Sequence, residues 1–221
     1  WQRVALLAAV AALSLLVIWA SYGFQIGPVE GIGSVVPAGP YVQGVQAILG
    51  LAEGGRSGYL LGRISSEGWW YYFPIAFAVK TPLATLFGLT AATWLLVRNP
   101  TRDDLFLLMP SLLFFLASTT VRLNLGYRHL LPVLPFFAVH IGRLTHLPSY
   151  GGKRLSAYLS VALAFWLAVS TLIVYPHFLA AFNPLGGGPS SGWRVLADSN
   201  IDWGQDMKGL KQWMERQGVA R

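Results

Sequence analysis

From Val4 to Tyr22 the chain carries no charged residue. A helix needs about 20 apolar residues to cross the hydrocarbon of a bilayer, and there every main-chain N–H and C=O must be satisfied within the protein. Further apolar stretches lie within Tyr71–Val97, Leu105–Ser118, Leu130–Leu144 and Ala157–Tyr175. Composition points the same way: the 221 residues are 54% hydrophobic and 11% charged, where a soluble domain carries about 25% charged residues. The sequence predicts an all-α polytopic membrane protein of about five transmembrane helices, with the start of a small extracytoplasmic α/β domain at the C-terminus. Its transmembrane domain is expected over residues 1–175, with spans at about 4–22, 71–97, 105–118, 130–144 and 157–175. A truncated extracytoplasmic strand–helix segment is expected over 176–221. Lys80-Thr81-Pro82 interrupts the second span, and Pro132 and Pro135 fall in the fourth. Proline is tolerated in membrane helices where neighbours satisfy the freed carbonyls.

Lys and Arg (16) outnumber Asp and Glu (9), for a net charge of +7. The cations form no run and stand at the ends of apolar segments. That pattern fits membrane orientation and speaks against a nucleic-acid partner. The short connectors 98–104 and 143–156 hold Arg98, Arg102, Arg143, Lys153 and Arg154, and Arg3 precedes the first span; the connector 119–129 holds Arg122 and Arg128. Cytoplasmic loops carry the excess of Lys and Arg. The chain is therefore expected in the cell (inner or plasma) membrane, multi-pass, with its N-terminus cytoplasmic and its C-terminus extracytoplasmic. The outer loop 23–70 includes Val42, Val45, Ile48 and Leu49 on one helical face, as an interfacial helix at about 41–51 would. With no cysteine, disulfides and thiolate metal sites are excluded. The chain opens at Trp1 with no signal-peptide pattern and reads as a fragment of a longer protein.

Several outer residues could carry chemistry. Gly68-Trp69-Trp70-Tyr71-Tyr72-Phe73-Pro74 crowds amphipathic aromatics at an expected membrane–water boundary. Trp69 and Trp70 read as interfacial anchors or as a stacking platform for a sugar or lipid headgroup. Lys80 lies about 25 Å of helix from Val97, near the outer headgroups, where it either snorkels or meets a lipid phosphate. Thr81 and Pro82 read as N-cap and N1 of the helix that follows. Arg122, Arg128 and His129 join two short spans. The planar fork of arginine suits phosphate oxygens, and outer loops are not where the positive-inside rule places it. His140 reads as a helix–helix hydrogen bond. His146 and His177 have no partner at a metal-ligand spacing.

Near the C-terminus, three of the nine acidic residues fall in Asp198-Ser199-Asn200-Ile201-Asp202-Trp203-Gly204-Gln205-Asp206. Trp193–Ala197 has strand propensity and follows the turn-rich residues 186–192. Asp202 and Gln205 match a capping box, and Met207, Leu210, Trp213 and Met214 give the next helix one apolar face, stopped at Gly218. Asp198 is then expected in the crevice between strand end and helix start where α/β units bind ligands. An EF-hand is excluded, because Trp203 and Gly209 stand where its loop needs glycine and glutamate. A looser divalent-cation site at these oxygens stays open, with no metal ligand set assigned.

The segments GWWYYFPIAFAVKTPL (68–83), NLGYRHLLPVLPF (124–136) and FNPLGGGPSSGWRVLADSNIDWGQDMKGLK (182–211) resemble bacterial multispanning membrane glycosyltransferases. These are related to glycosyltransferase family 39, the dolichyl-phosphate-mannose–protein mannosyltransferase type. The resemblance covers about the C-terminal half of such a protein. It implies a many-helix membrane fold and transfer of a hexosyl or mannosyl unit from a polyprenyl-phosphate sugar donor to a glycan, lipid or protein acceptor on the outer face. It also implies that the catalytic carboxylate lies upstream of residue 1, so no residue here inherits that role. Lys80, Arg128, His129 and Arg122 become candidate contacts to the carrier phosphate. Asp198, Asn200, Asp202, Trp203, Gln205 and Asp206, with Trp69 and Trp70, become a substrate-binding or structural motif. The chemistry is consistent, since a departing lipid phosphate needs cations or a metal and the acceptor needs a nearby carboxylate. Two other readings stand beside it. One is a fragment of a secondary transporter, a class with ionisable residues and broken helices at the membrane midplane. The other is a non-catalytic membrane anchor with an outer binding domain.

Overall fold

The computed structural model describes residues 1–31, 33–124, 126–146 and 152–219. It divides into two compact units, Trp1–Gly54 and Gly55–Arg221. The first unit opens with α1 (Gln2–Ser21), none of whose residues is buried. The Trp19 indole N–H donates to Gln25 O and closes the turn that ends the helix (2.9 Å). An antiparallel hairpin follows, β1 (Ile26–Pro28) on β2 (Val35–Pro37), with Gly27 opposite Val36. α2 (Gly39–Gly54) occupies the interval of the expected interfacial helix. Its Gln43 and Gln46 amides reach back to the carbonyls of Pro28 and Glu30 (2.8 and 3.2 Å), which ties the helix to the hairpin.

The second unit begins with a hairpin of β3 (Gly58–Leu60) and β4 (Arg63–Ser65). α3 (Tyr72–Lys80) and α4 (Leu83–Arg98) follow, bent by 112° across Thr81 and Pro82. The expected span 71–97 is therefore two helices. Pro82 has no N–H to continue the ladder and holds Thr81 in extended backbone (ψ 132°). Thr81 does not cap α4, whose N-cap is Pro82; its hydroxyl instead bonds the Tyr127 hydroxyl (3.0 Å). α5 (Arg102–Thr120) is longer than the expected 105–118, because Thr101 and Asp104 form a capping box that draws two acidic residues and an arginine into the first turn. The Arg143 guanidinium grips the same Asp104 carboxylate and the Asn99 carbonyl.

The expected span 130–144 is not one α-helix. It consists of a 3₁₀ segment (Tyr127–Val133), α6 (Leu134–Ile141) and a second 3₁₀ segment (Gly142–His146). Pro132 and Pro135 each remove a donor from the ladder, and the chain tightens around them. At eight residues, α6 is about 12 Å long, well short of a hydrocarbon layer of about 30 Å. α7 (Gly152–Ile173) lies over the fifth expected span; residues 147–151 of the connector before it lie outside the described residues. Among the described residues three helices are long and apolar enough to cross a membrane, namely α1, α5 and Leu155–Ile173 of α7, or four if the bent α3–α4 pair counts as one, against about five expected.

The C-terminal stretch is irregular. The expected strand Trp193–Ala197 is a 3₁₀ turn (Gly192–Arg194) followed by one isolated antiparallel bridge, Leu196 to Leu60. Leu196 is fully buried and acts as a plug against the β3–β4 hairpin rather than as one rung of a ladder. A short α8 (Gly188–Ser191) precedes it and α9 (Met207–Arg216) follows. The Asp202–Gln205 capping box is not formed. Asp202 Oδ1 accepts the Gly204 N–H (2.9 Å) and Gln205 Oε1 the Trp203 N–H (2.6 Å), so both side chains close a local turn and the helix starts at Met207. No α/β unit is present among the described residues, whose only sheets are the two hairpins.

One core joins these pieces: Leu60 of β3, four residues of α3 from Tyr72 to Val79, Leu130 and Val133, and Phe182 and Leu196 of the C-terminal stretch. A smaller one joins Ala92 and Leu95 of α4 to Leu144.

Candidate functional site

Segments 68–83, 124–136 and 182–211 are far apart in sequence and meet around the first core. Asn200 is their joint. It is 2% exposed. Its side-chain N–H groups donate to the Tyr72 hydroxyl (2.9 Å) and to Ala197 O (3.1 Å), and its Oδ1 accepts the Tyr127 N–H (2.9 Å). A buried amide so satisfied contributes a bond at each partner and avoids the larger cost of an orphaned group. Gly126 lets the two loops approach. Its φ is +118°, and a Cβ there would lie 2.7 Å from Ser199 Oγ.

Lys80 belongs to the same joint. Its ammonium donates to Leu179 O (2.6 Å) and Asn200 O (2.8 Å) and lies 4.1 Å from the centre of the Phe182 ring. Two of its three N–H bonds thus hold the C-terminal stretch to the end of α3. Asn183 completes the seal. Its amide donates to Ala78 O (2.6 Å) and Thr81 O (2.7 Å), and its main-chain N–H to Val79 O (2.9 Å). These include carbonyls that Pro82 leaves without a helical donor, which is what allows the helix to break here.

Arg128 faces outward. Its guanidinium carbon lies 4.1 Å from the centre of the Trp203 ring, and the Trp203 indole N–H is fixed on Ser199 O (2.9 Å). Stacking uses the face of the guanidinium and leaves its in-plane N–H edge for an anion. Arg122 is exposed in the same loop. His129 packs edge-on to Phe73 (6.3 Å between ring centres). Burial, and then the charge of Arg128, push its pKa below the ordinary histidine value, so at neutral pH it offers a hydrogen bond and not a charge.

The three carboxylates of 198–206 do not converge. Asp206 pairs with His177 (3.1 Å), Asp202 serves its own turn, and Asp198 is exposed in a left-handed conformation (φ +56°) that aspartate tolerates. Among the described residues no group of three His, Cys, Asp or Glu side chains comes together as a metal would need. The two tryptophans part ways. Trp69 is half-buried, its main-chain N–H donating to Asn124 Oδ1 (2.6 Å), while Trp70 is 71% exposed with its ring edge-on to Tyr71.

Sequence reasoning missed Tyr72, Tyr127, Asn124 and Asn183. Only Asn183 carried a local signal, since Asn-Pro favours a turn. Compared with protein-family models, curated proteins and solved structures, the chain finds no match in any of the three.

Proposed function

We propose that the chain is the C-terminal part of an integral membrane glycosyltransferase. It transfers a sugar from a polyprenyl-phosphate-linked donor to a glycan, lipid or protein acceptor on the outer face of the cell membrane. The observation that carries this reading is the outward-facing Arg128–Trp203 pair. It sets an anion-binding edge beside an aromatic face, and it joins two of the three segments on which the resemblance rests. In this reading Arg128 and Arg122 neutralise the carrier phosphate by charge-assisted hydrogen bonds. His129 adds a neutral hydrogen bond, and Trp203 and Trp70 offer apolar faces to a sugar. Asp198 accepts from hydroxyl groups. Lys80 acts through position, as the strut that fixes the C-terminal stretch. The catalytic carboxylate comes from outside this chain.

In this reading α5, whose 19 residues are about 28 Å long, crosses the membrane. The positive-inside expectation then sets Asn99, Asp104 and Arg143 at its cytoplasmic end and Arg122, Arg128 and the C-terminal stretch at the extracytoplasmic one. The test is donor kinetics in the full protein. Arg128→Ala raises KM for the lipid donor about tenfold, the loss of roughly one charge-assisted bond, and Arg128→Lys recovers only part because it lacks the fork. Unchanged donor kinetics in Arg128→Ala and Arg122→Ala alike would end the assignment. Secondary transport is the second reading, supported by the 112° break beside Lys80, because transporters set discontinuous helices at their substrate sites. Ion-coupled uptake into proteoliposomes, without sugar transfer, would select it.

A further inference from the structure

The hydrogen bonds that end α1 also start α2. Gln25 O accepts the Trp19 indole N–H and the Ala38 N–H, both at 2.9 Å. Ala38 O in turn accepts the N–H groups of Tyr41 and Val42 (2.9 and 3.2 Å) in the first turn of α2. The Tyr22 and Tyr41 rings meet edge to face, 6.0 Å between centres. There is no slack at this junction, since a Cβ on Gly39 would lie 2.8 Å from Gly27 O. α2 therefore begins at the level where α1 ends. With 20 residues, none of them buried, α1 is about 30 Å long, the thickness of the hydrocarbon layer. A span of that length ends at the membrane–water boundary, and tryptophan and tyrosine, here Trp19, Tyr22 and Tyr41, gather there.

The two sides of α2 differ. Gln43, Gln46 and Gly50 share one side at helical spacing, and the Gln43 and Gln46 amides hold it to the Pro28 and Glu30 carbonyls of the hairpin. Val45, Ile48 and Leu51, flanked by Leu49, lie opposite, and all four are exposed, Ile48 at 63%. From Gly31 to Ala52 the sequence carries no charge. At 16 residues, α2 is about 24 Å long, too short to cross the bilayer. A helix that starts at the boundary can then project into water, turn back into hydrocarbon or lie along the surface. Projection would hydrate Ile48, Leu49 and Leu51. Turning back would take the hairpin that Gln43 and Gln46 hold, with Glu30, out of water. Lying along the surface gives each side the medium it suits.

We propose that α2 is a membrane-surface helix whose partner is the phospholipid leaflet at which α1 ends. Val45, Ile48, Leu49 and Leu51 enter the acyl chains, and Gln43 and Gln46 carry the β1–β2 hairpin on the water side. The face has no cation to select an anionic headgroup, so apolar insertion supplies the binding. The inference rests on α1 crossing the membrane and not on sugar transfer.

The chain has no cysteine, so a nitroxide label can be attached at one chosen position at a time. The full chain is reconstituted in vesicles of phosphatidylcholine and phosphatidylglycerol, labelled at Ile48→Cys, Leu51→Cys, Gly50→Cys or Val10→Cys. A Cβ at Gly50 meets nothing within 4 Å, and the other three side chains are exposed, so the labels leave the fold intact. Relaxation of the label by oxygen, which concentrates in lipid, is compared with relaxation by a water-soluble nickel chelate. Positions 48 and 51 favour oxygen and read about 5–10 Å into the headgroup–acyl boundary. Position 50 favours the chelate, and position 10, in the middle of α1, reads deepest. With position 10 in hydrocarbon, chelate access at 48 and 51 overturns the proposal. So does closure of both positions to both relaxants, the mark of a protein cover, and so does an oxygen preference at position 50, the mark of a helix turned back into the bilayer. Position 10 open to the chelate would sink the membrane reading, and this inference with it. Absence of sugar transfer with all four depths as expected would sink the enzyme reading and leave this one standing.

Discussion

Asn200→Ala is the sharpest test of the joint that holds the site together. The side chain is buried at 2% exposure and serves Tyr72, Ala197 and Tyr127. Removing it leaves the Tyr127 N–H and the Tyr72 hydroxyl without their partner. A typical hydrogen bond contributes about 0.5–1.5 kcal/mol net, and a buried group left unpaired costs about 1–3 kcal/mol. Two such groups bring the expected loss to about 3 kcal/mol, or roughly a hundredfold in the opening equilibrium. The backbone carbonyl of residue 200 still accepts from Lys80, so the loss is confined to the side chain. Hydrogen exchange measures it directly. Amides of 195–206 and of 126–129 should exchange about a hundredfold faster, while those of α5 and α7 keep their protection. Asn200→Asp is expected to be no milder. It keeps the acceptor for Tyr127 but sets a second oxygen against Ala197 O, inside a core where an unpaired charge is costly. If Asn200→Ala left both segments protected to within threefold of wild type, on the scale where a factor of ten is about 1.4 kcal/mol, Asn200 would not be the joint and the site geometry built on it would fall.

Three further outcomes follow from the same contacts. Lys80→Met keeps the apolar stem but removes the donor to Leu179 O and Asn200 O; it should loosen the C-terminal stretch by about 3 kcal/mol and speed protease cleavage within 174–183, whereas a lysine serving only a phosphate would leave cleavage unchanged. Thr101→Ala removes the capping box of α5 and should cost about 1 kcal/mol, read as faster exchange confined to the first turn of that helix. His129 has a folded pKa below its ordinary value of 6.5, so folding favours its neutral form; stability is unaffected by this group above about pH 6.5 and falls as pH drops below that toward the folded pKa, where the unfolded chain binds the proton first. His129→Asn should flatten that part of a stability profile, and an unchanged slope would remove the assignment.

What the sequence made legible was the material that signals through composition alone. α1, α5 and α7 announce themselves because hydrocarbon demands long uncharged helices, and nothing else in the chain competes with that demand. The break at Lys80-Thr81-Pro82 was equally visible as an interruption, because proline acts on its own neighbours. Its 112° bend was not, since the angle depends on Asn183 arriving about a hundred residues later to take the freed carbonyls. Pro132 and Pro135 show the limit from the other side. Hydropathy over 130–144 counts their neighbours as span, yet two missing donors in four residues leave an α-helix of only eight.

The acidic stretch at 198–206 was visible as an anomaly, while its local secondary structure was not. Propensity drew a strand over Trp193–Ala197, but strand propensity records fit to a neighbouring strand, and the β3–β4 hairpin offers Leu196 a single bridging position at Leu60. With that strand, Asp198 was expected in a crevice between strand end and helix start. In the fold the carboxylates separate, and the residue that matters most to the architecture is the uncharged one among them. An asparagine can donate and accept at once, so at the meeting of three segments it satisfies a hydroxyl, a carbonyl and an N–H without placing a charge in the core. A carboxylate at position 200 could not, and an apolar residue would orphan two of the three. The anomaly in the sequence is therefore two features overlaid. Asn200 and Gly126 lock the segment in place, and that lock leaves Arg128, Trp203 and Asp198 free to face outward, where a ligand can reach them.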